Sequence, residues 1–461
     1  MAGVRSTAIN LSARVLSVGV FILLTACVAS ARATPTAITN VRIIDGNGGA
    51  PIERGTILID GRKIVAAGAA SQVSVPRGSR RIDGKGGSVF PGLADMHVHL
   101  LGGTDGLGLD ILGYQKYLNA LLYAGVTTVM DTGNVEPFIL QLRGEVAAGR
   151  VLGPQIYCVG PILDGADPVW PALSMAVTSK DQVPRIVDSL AGDKVDFIKL
   201  YVGLSDQLIR AISLEAKRHN VRTIIDQWSR NGSADIAVEG IAGFAHFPSH
   251  RISDETIATI KSHGVFLIST LAVQESSLGR RFADLSFLDN PLIADTTSKH
   301  ALDRLRSQYA GLTAAQIAAK NDYTMKVDLK GAEQNVPRLL AAGILFAAGT
   351  DAIYPGDFQG EGLHRELELL VESGLTPLEA ITTATKNAAA IVGAQEWGTL
   401  EAGKLANLVI VDGKPDQRIG DTRRITVVML GGEILDRTAL RLDHSHIPDY
   451  QETGSSMAPV W

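Results

Sequence analysis

Cysteine is nearly missing from this 461-residue chain, which has two, Cys27 and Cys158. A multi-disulfide framework is thereby excluded, and no intramolecular bridge survives if Cys27 is lipidated or cut away. Cys158 sits in the strand-like QIYCVG, where it reads as a small buried hydrophobe and not as a nucleophile. A basic stripe is missing too, and the net charge is −5. Both argue against a nucleic-acid footprint, so the expected partner is a small molecule or short peptide. No short repeat or low-complexity tract stands out. The long N-terminal apolar run, Val15 to Ala26, is too short for a comfortable membrane span.

Preceded by Arg5 and Arg14, that run has the form of an export signal. Two cleavage positions are open. Leu24-Thr25-Ala26-Cys27 resembles the bacterial lipobox, which would make Cys27 the lipidated first residue. Ala31-Arg32-Ala33 resembles an ordinary signal-peptidase site, removing residues 1–33. The expectation is an exported bacterial envelope protein, either periplasmic or tethered to the membrane through Cys27, and a homo-oligomer.

With 46% hydrophobic and 20% charged residues, the rest of the chain is globular and long enough for more than one small core. Short alternating runs broken by Asp-Gly and Asn-Gly turns fill the start (AITNVRIIDGNG, GTILIDGRKIVAAG, SRRIDGKGGSVFPG). The end has the same texture, in GKLANLVIVDGKP, RITVVMLGGEIL and a last strand near Ala439 to Leu442. Residues 34–90 and 396–461 therefore predict one small β domain built from both chain ends. Residues 91–395 alternate apolar strands (ADMHVHL, GVTTVMD, PQIYCVG, DFIKLYV, RTIID, GFAHF, VFLIST, ILFAAGTD) with helix-like segments such as DQLIRAISLEAKRHN. Such alternation predicts a parallel (β/α)8 TIM barrel, with its chemistry at the strand C-termini. The polar stretch 274–336, between the seventh and eighth strands, is expected to project as a lid or pocket wall.

Metal-binding side chains gather at those strand ends. His97 and His99 lie two apart on a strand, so period two turns both imidazoles to one face. Lys199 ends DFIK, His246 ends GFAH and Asp351 follows FAAGT.

The motifs FPGLADMHVHL, AGVTTVMDTG, VDFIKLY, GTDA, LTPLEAITTATKNAAAIVG and GTLEAGKLANLVIVDGKP, in this order, resemble the amidohydrolase superfamily, in particular its imidazolonepropionase-like and prolidase-like members. The resemblance covers nearly the whole mature chain and implies the barrel together with a β-sandwich from both termini. It also implies that His97, His99 and Asp351 bind the more buried metal. Lys199 matches the strand-four lysine that is carboxylated to N6-carboxylysine and bridges two metals, and His246 matches the strand-six ligand of the second. Asp351 would take the proton of the attacking water and pass it to the leaving nitrogen. The implied cofactor is zinc, one or two ions per chain, with manganese or iron(II) as alternatives.

One position departs from the family. Where the strand-five histidine belongs, VRTIIDQWSR carries Asp226. His219 lies too early, on the preceding helix, and His250 lies beyond the sixth strand. Three readings stay open: Asp226 is an oxygen ligand, a single metal does the work, or the protein binds without turnover. Around the site, Tyr201 and Trp228 are candidates to wall the pocket, and His250 and Arg251 to contact an anionic group. His364, His444 and His446 read as structural or surface residues. The leading function is hydrolysis of a C–N bond in an amide, dipeptide, N-acyl amino acid or cyclic amide. Ester or lactone hydrolysis, and metal-retaining binding without turnover, are the alternatives.

Overall fold

The computed structural model describes residues 34–101, 113–226, 240–320, 327–352 and 354–442. The segment expected to direct export, with Cys27, and Trp228, His444 and His446, lie outside the described residues. Among the described residues no helix is long and apolar enough to cross a membrane.

The chain opens with β1 (Thr36–Ile43), β2 (Ile52–Asp60), β3 (Lys63–Ala69), β4 (Arg80–Asp83) and β5 (Ser88–Pro91). Asp60 pairs with Lys63 across Gly61-Arg62, and Gly61 takes the positive φ of 56° that this tight hairpin turn requires. Ten barrel-region strands follow: β6 (Leu93–Val98), β7 (Val126–Asp131), β8 (Gln155–Cys158), β9 (Ile162–Asp164), β10 (Ser174–Ala176), β11 (Phe197–Leu200), β12 (Arg222–Ile225), β13 (Ile241–Phe244), β14 (Phe266–Ile268) and β15 (Phe346–Ala347). The chain then returns to the first sheet with β16 (Leu408–Val411), β17 (Ile425–Leu430) and β18 (Glu433–Ile434).

The two ends meet where β5 pairs antiparallel with β16, Ser88 opposite Val411 and Pro91 opposite Leu408. One eight-stranded sheet results, in the order β18-β17-β16-β5-β1-β2-β3 with β4 beside β1. It folds back on itself, because a bridge from Lys63 to Leu405 joins the start of β3 to the segment entering β16. Ile38, Ile57, Ile59, Val89, Leu408, Ile410 and Met429 fill its interior. The predicted last strand at residues 439–442 is absent. That segment forms turns, and the Leu442 N–H donates to the Asp295 carbonyl at 2.8 Å instead of joining a ladder.

The middle of the chain is a (β/α)8 barrel. Its ladders are parallel, β6-β7-β8 on one side and β9-β11-β12-β13-β14-β15 on the other. The Met96 N–H closes the first gap by donating to the Ala348 carbonyl at 3.0 Å, and the Asp196 N–H closes the second by donating to Cys158 at 2.9 Å. Met96, Met130, Phe197, Ile224, Ala245, Phe266 and Ile268 pack together as the barrel interior. The outer helices are amphipathic. Helix Asp206–Arg218, capped by the Ser205 hydroxyl, buries Ile209, Ile212, Ser213 and Ala216 at helical spacing.

The described part of the stretch between β14 and β15 is helical, but it does not supply the described pocket wall. It builds a satellite core from Phe282, Leu288, Ile293, Leu305 and Tyr309, with the Phe282 and Tyr309 rings stacked at 3.7 Å. Two buried ion pairs fasten it to helix Glu361–Glu372: Arg281 to Glu361 at 2.8 Å and Arg365 to Glu275 at 2.8 Å. Arg423, from the C-terminal segment, reaches Glu361 and Glu368 on the same helix at 2.6 and 2.8 Å.

His364 completes this joint. Its Nε2 lies 2.9 Å from the Ala124 carbonyl and its Nδ1 lies 2.9 Å from the Thr422 hydroxyl. Burial, with Arg423 adding to it, pushes its pKa from 6.5 down to about 4. The neutral ring therefore donates its Nε2–H to the Ala124 carbonyl, and the Thr422 hydroxyl beside Nδ1 donates to the Ile419 carbonyl at 2.8 Å. In the unfolded chain the ring takes up a proton at higher pH than in the fold, so its stabilising contribution is complete above pH 6.5 and is lost as pH falls toward 4. Urea unfolding should show wild type losing about 2–3 kcal/mol relative to His364→Gln between about pH 7 and 4.5. A difference that does not change with pH would refute this coupling.

Candidate metal centre

The His-x-His pair owes its direction to a break in strand periodicity. Ala94 and Met96 pack in the barrel interior, while Val98 and Leu100 pack in the outer core. The change of phase coincides with a register irregularity between Asp95 and Val98 against β7, the kind of local bulge that re-aims side chains. His97 and His99 then both face the barrel mouth. The His97 Nδ1–H donates to the Ala245 carbonyl at 2.8 Å, and the His99 Nδ1–H to the Gly133 carbonyl at 2.7 Å. A carbonyl can only accept, so each ring carries its proton on Nδ1 and, in its neutral form, turns the Nε2 lone pair to the mouth. Burial lowers the His97 pKa well below the usual histidine range, and Lys199 and the neighbouring imidazoles add to it.

Asp351 meets these nitrogens. Its Oδ1 lies 3.1 Å from His99 Nε2 and 3.5 Å from His97 Nε2. The residue sits at φ 65°, a left-handed conformation that a non-glycine residue adopts only when its surroundings impose it. The brace is visible. The Thr350 and Asp351 N–H groups both donate to the His97 carbonyl, at 3.2 and 2.7 Å. Buried Asp95 accepts from the Thr350 hydroxyl at 2.8 Å, the Thr350 N–H at 3.0 Å and the His97 N–H at 3.2 Å. Gly349 permits this approach, since a Cβ there would lie 2.9 Å from the His97 Cβ. Burial raises the Asp95 pKa to about 7 against the pull of those hydrogen bonds.

A second group lies beside the first. Lys199 follows Ile198 on β11, almost fully buried, with Nζ 3.4 Å from His97 Nε2. Burial lowers its pKa, opposed by Asp226, Asp351 and Asp131. Asp226 follows β12 and His246 follows β13, and the Asp226 Oδ2 lies 3.1 Å from His246 Nε2. His246 Nδ1 is 2.8 Å from the Thr270 hydroxyl, and its ring lies 4.4 Å from that of His97. Six predicted residues thus converge at the ends of five strands. Imidazole nitrogens with open lone pairs beside buried carboxylates form a donor set that suits a divalent cation. His97, His99 and Asp351 place one ligand atom each within 4.8 Å of the others.

The site opens into a small pocket lined by His99, Ile162, Trp170, Leu173, Lys199, Tyr201, Asp226, His246, Asp351 and Tyr354. Tyr201 is where the sequence reading put it, in the wall. Trp228 falls outside the described residues. His250 and Arg251 are not part of the described lining: Arg251 is exposed, and the His250 carbonyl accepts from Asn335 at 2.8 Å. Sequence reasoning missed Trp170 and Leu173, which sit in a loop after β9 with no strand-end position to mark them. Tyr354 and Thr270 carried a usable signal, since both lie just beyond barrel strands.

A sequence profile of the amidohydrolase family matches residues 88–435. The chain belongs to the amidohydrolase family. Among its relatives is adenine deaminase 2 of Rhizobium etli, 25% identical over 344 residues, which are 72% of this chain and 46% of that protein. The chain thus spans about half the length of that relative. The 5-methylthioadenosine/S-adenosylhomocysteine deaminase of Bacillus cereus is 22% identical over 382 residues, 78% of this chain and 81% of that one. A solved Xaa-Pro dipeptidase with bound methionine shares the fold, with a TM-score of 0.67 and 20% identity over 87% of this chain and 100% of that one.

In this amidohydrolase the Asp226–His246 contact invites a direct measurement. Asp226→Ala is expected to lower the metal retained per chain after dialysis, read by elemental analysis, while Asp226→His retains it. Unchanged metal content in the alanine variant would remove Asp226 from the ligand set.

Proposed function

We propose that this amidohydrolase cleaves a C–N bond, in an amide, dipeptide, N-acyl amino acid or cyclic amide, with a metal-activated water. The observation that carries the reading is the meeting of His97 Nε2, His99 Nε2 and the Asp351 carboxylate in one buried cluster at the pocket floor. His97, His99 and Asp351 would hold one divalent cation, and Lys199, Asp226 and His246 a second. When bound, zinc, manganese or iron(II) supplies Lewis-acid activation of water and of the scissile carbonyl. Lys199 could join that set only as a carbamate, because an ammonium offers no lone pair. Its burial favours the neutral amine, whose nitrogen forms a bond to the carbon of CO2 and then releases a proton.

The chain's own groups handle the proton and the substrate. Asp351, aimed by its left-handed backbone, takes the proton of the attacking water and returns it to the leaving nitrogen. The Trp170 indole N–H donates to the Tyr201 hydroxyl oxygen at 2.7 Å. That leaves the Tyr201 proton to be donated into the pocket, toward a carbonyl oxygen gaining charge. Ile162, Leu173, Trp170 and Tyr354 give the pocket apolar and aromatic walls, which favour a substrate with an apolar group beside the scissile bond. The deaminase and Xaa-Pro dipeptidase relatives support C–N cleavage as the reaction class.

Purified protein should hydrolyse at least one member of a panel of dipeptides, N-acyl amino acids and cyclic amides. Activity should be lost on chelation, and Asp351→Asn should lower kcat by about 10²–10⁴-fold. Turnover confined to esters or lactones would move the reading to C–O cleavage. Fewer than one metal per chain with no turnover would sink the enzyme reading.

We also infer export to the bacterial envelope, supported by Arg5, Arg14 and the apolar run from Val15 to Ala26. If Cys27 is lipidated, the chain fractionates with membranes and Cys27→Ala releases it. Identical fractionation of both proteins would instead favour cleavage after Ala33.

A further inference from the structure

Thr270 is fully buried at the end of β14, with φ 122° and ψ 39°. A β-branched residue resists that conformation at a cost on the order of 1–3 kcal/mol, so something must hold it there. Glu366, fully buried on helix Glu361–Glu372, is the clamp. Its Oε1 accepts from the Thr270 N–H at 3.2 Å and from the Ser269 hydroxyl, and its Oε2 accepts from the Ala272 N–H at 2.7 Å. The clamped backbone sets the Thr270 hydroxyl 2.8 Å from His246 Nδ1.

This partner differs in kind from those of the other two imidazoles. His97 and His99 face carbonyl oxygens, which accept only and hold the proton on Nδ1. A hydroxyl can donate or accept. His246 therefore has two consistent arrangements. In one, Thr270 donates to Nδ1 and the Nε2–H donates to Asp226 Oδ2, 3.1 Å away. In the other, the Nδ1–H donates to Thr270 and Nε2 turns an open lone pair to the mouth beside Asp226. The first arrangement closes the His246–Asp226 half of the centre on itself, and the second opens it to a cation.

We infer that Thr270 is a positioning residue that lets His246 change ring state, so that the His246–Asp226 half loads reversibly while the His97–His99 half is preset. The inference rests on the metal-centre reading. It predicts unequal metal sites in one chain, the weaker one controlled by a hydroxyl that need not touch metal.

The test counts metal, not turnover. Metal-free full-length protein is reloaded with Zn2+ or Mn2+, stripped stepwise with a chelator, and the bound equivalents are measured. Wild type should hold two equivalents, one released first. Thr270→Val should keep the tight equivalent, which also reports an intact fold, and weaken the other by about 10–100-fold. Thr270→Ser should restore it. If the valine variant loses both, Thr270→Ala removes the same oxygen with less steric demand and supplies the comparison. An unchanged weaker site in Thr270→Val or Thr270→Ala overturns the inference and leaves the metal centre standing. So does a wild type that holds a single equivalent. A wild type that takes up less than one equivalent overturns the metal-centre reading, and this inference with it.

Discussion

Two hydrogen bonds from imidazole to backbone govern this molecule's chemistry: His97 Nδ1 to the Ala245 carbonyl and His99 Nδ1 to the Gly133 carbonyl. They decide which nitrogen of each ring reaches the barrel mouth, and neither acceptor is near its histidine in the chain. Ala245 comes at the end of β13 and Gly133 just past β7. The direction of the ligand lone pairs is therefore a property of barrel closure. The six buried ionisable groups at the mouth inherit the same dependence. Their mutual distances hold only while those strands keep their register.

Burying that many ionisable groups is unfavourable unless each finds a partner. The fold answers with carboxylates that accept several hydrogen bonds at once. Asp95 ties the His97 backbone to Thr350, Asp131 accepts from Leu100 and Asn134, and Glu366 holds the turn carrying Thr270. Helix Glu361–Glu372 carries the outermost layer of this support. Through Glu361, Arg365, Glu368 and His364 it gathers the insertion after β14, the C-terminal segment and the barrel at one joint. Such ion pairs contribute little net stability against apolar replacements, but breaking one side would leave an uncompensated charge, which favours a single arrangement.

The eight barrel strands were legible because apolar runs separated by amphipathic segments permit few other packings. The metal-type residues were legible because they stood at the ends of those runs. The fate of residues 274–336 was not. Their polar, helical pattern fits a lid as well as a clamp, and the difference lies in Arg281 and Glu275 finding partners on a distant helix. Residues 439–442 alternate like a strand but form turns, and the Leu442 N–H goes to the Asp295 carbonyl instead of a neighbouring strand. Trp170 was invisible because a loop tryptophan means nothing until Tyr201 stands 2.7 Å from its indole nitrogen.

By itself the sequence determined the barrel, the shared β domain of the two ends and the identity of the groups at the mouth, since periodicity and strand-end position are local properties. Asp226 could be named there as the residue in a histidine's place. Only the tertiary structure decided that it faces His246 across 3.1 Å, and that the hydroxyl behind His246 can both give and take a hydrogen bond. Those relations join the ends of three successive strands, and distances between strands exist only once the barrel has closed.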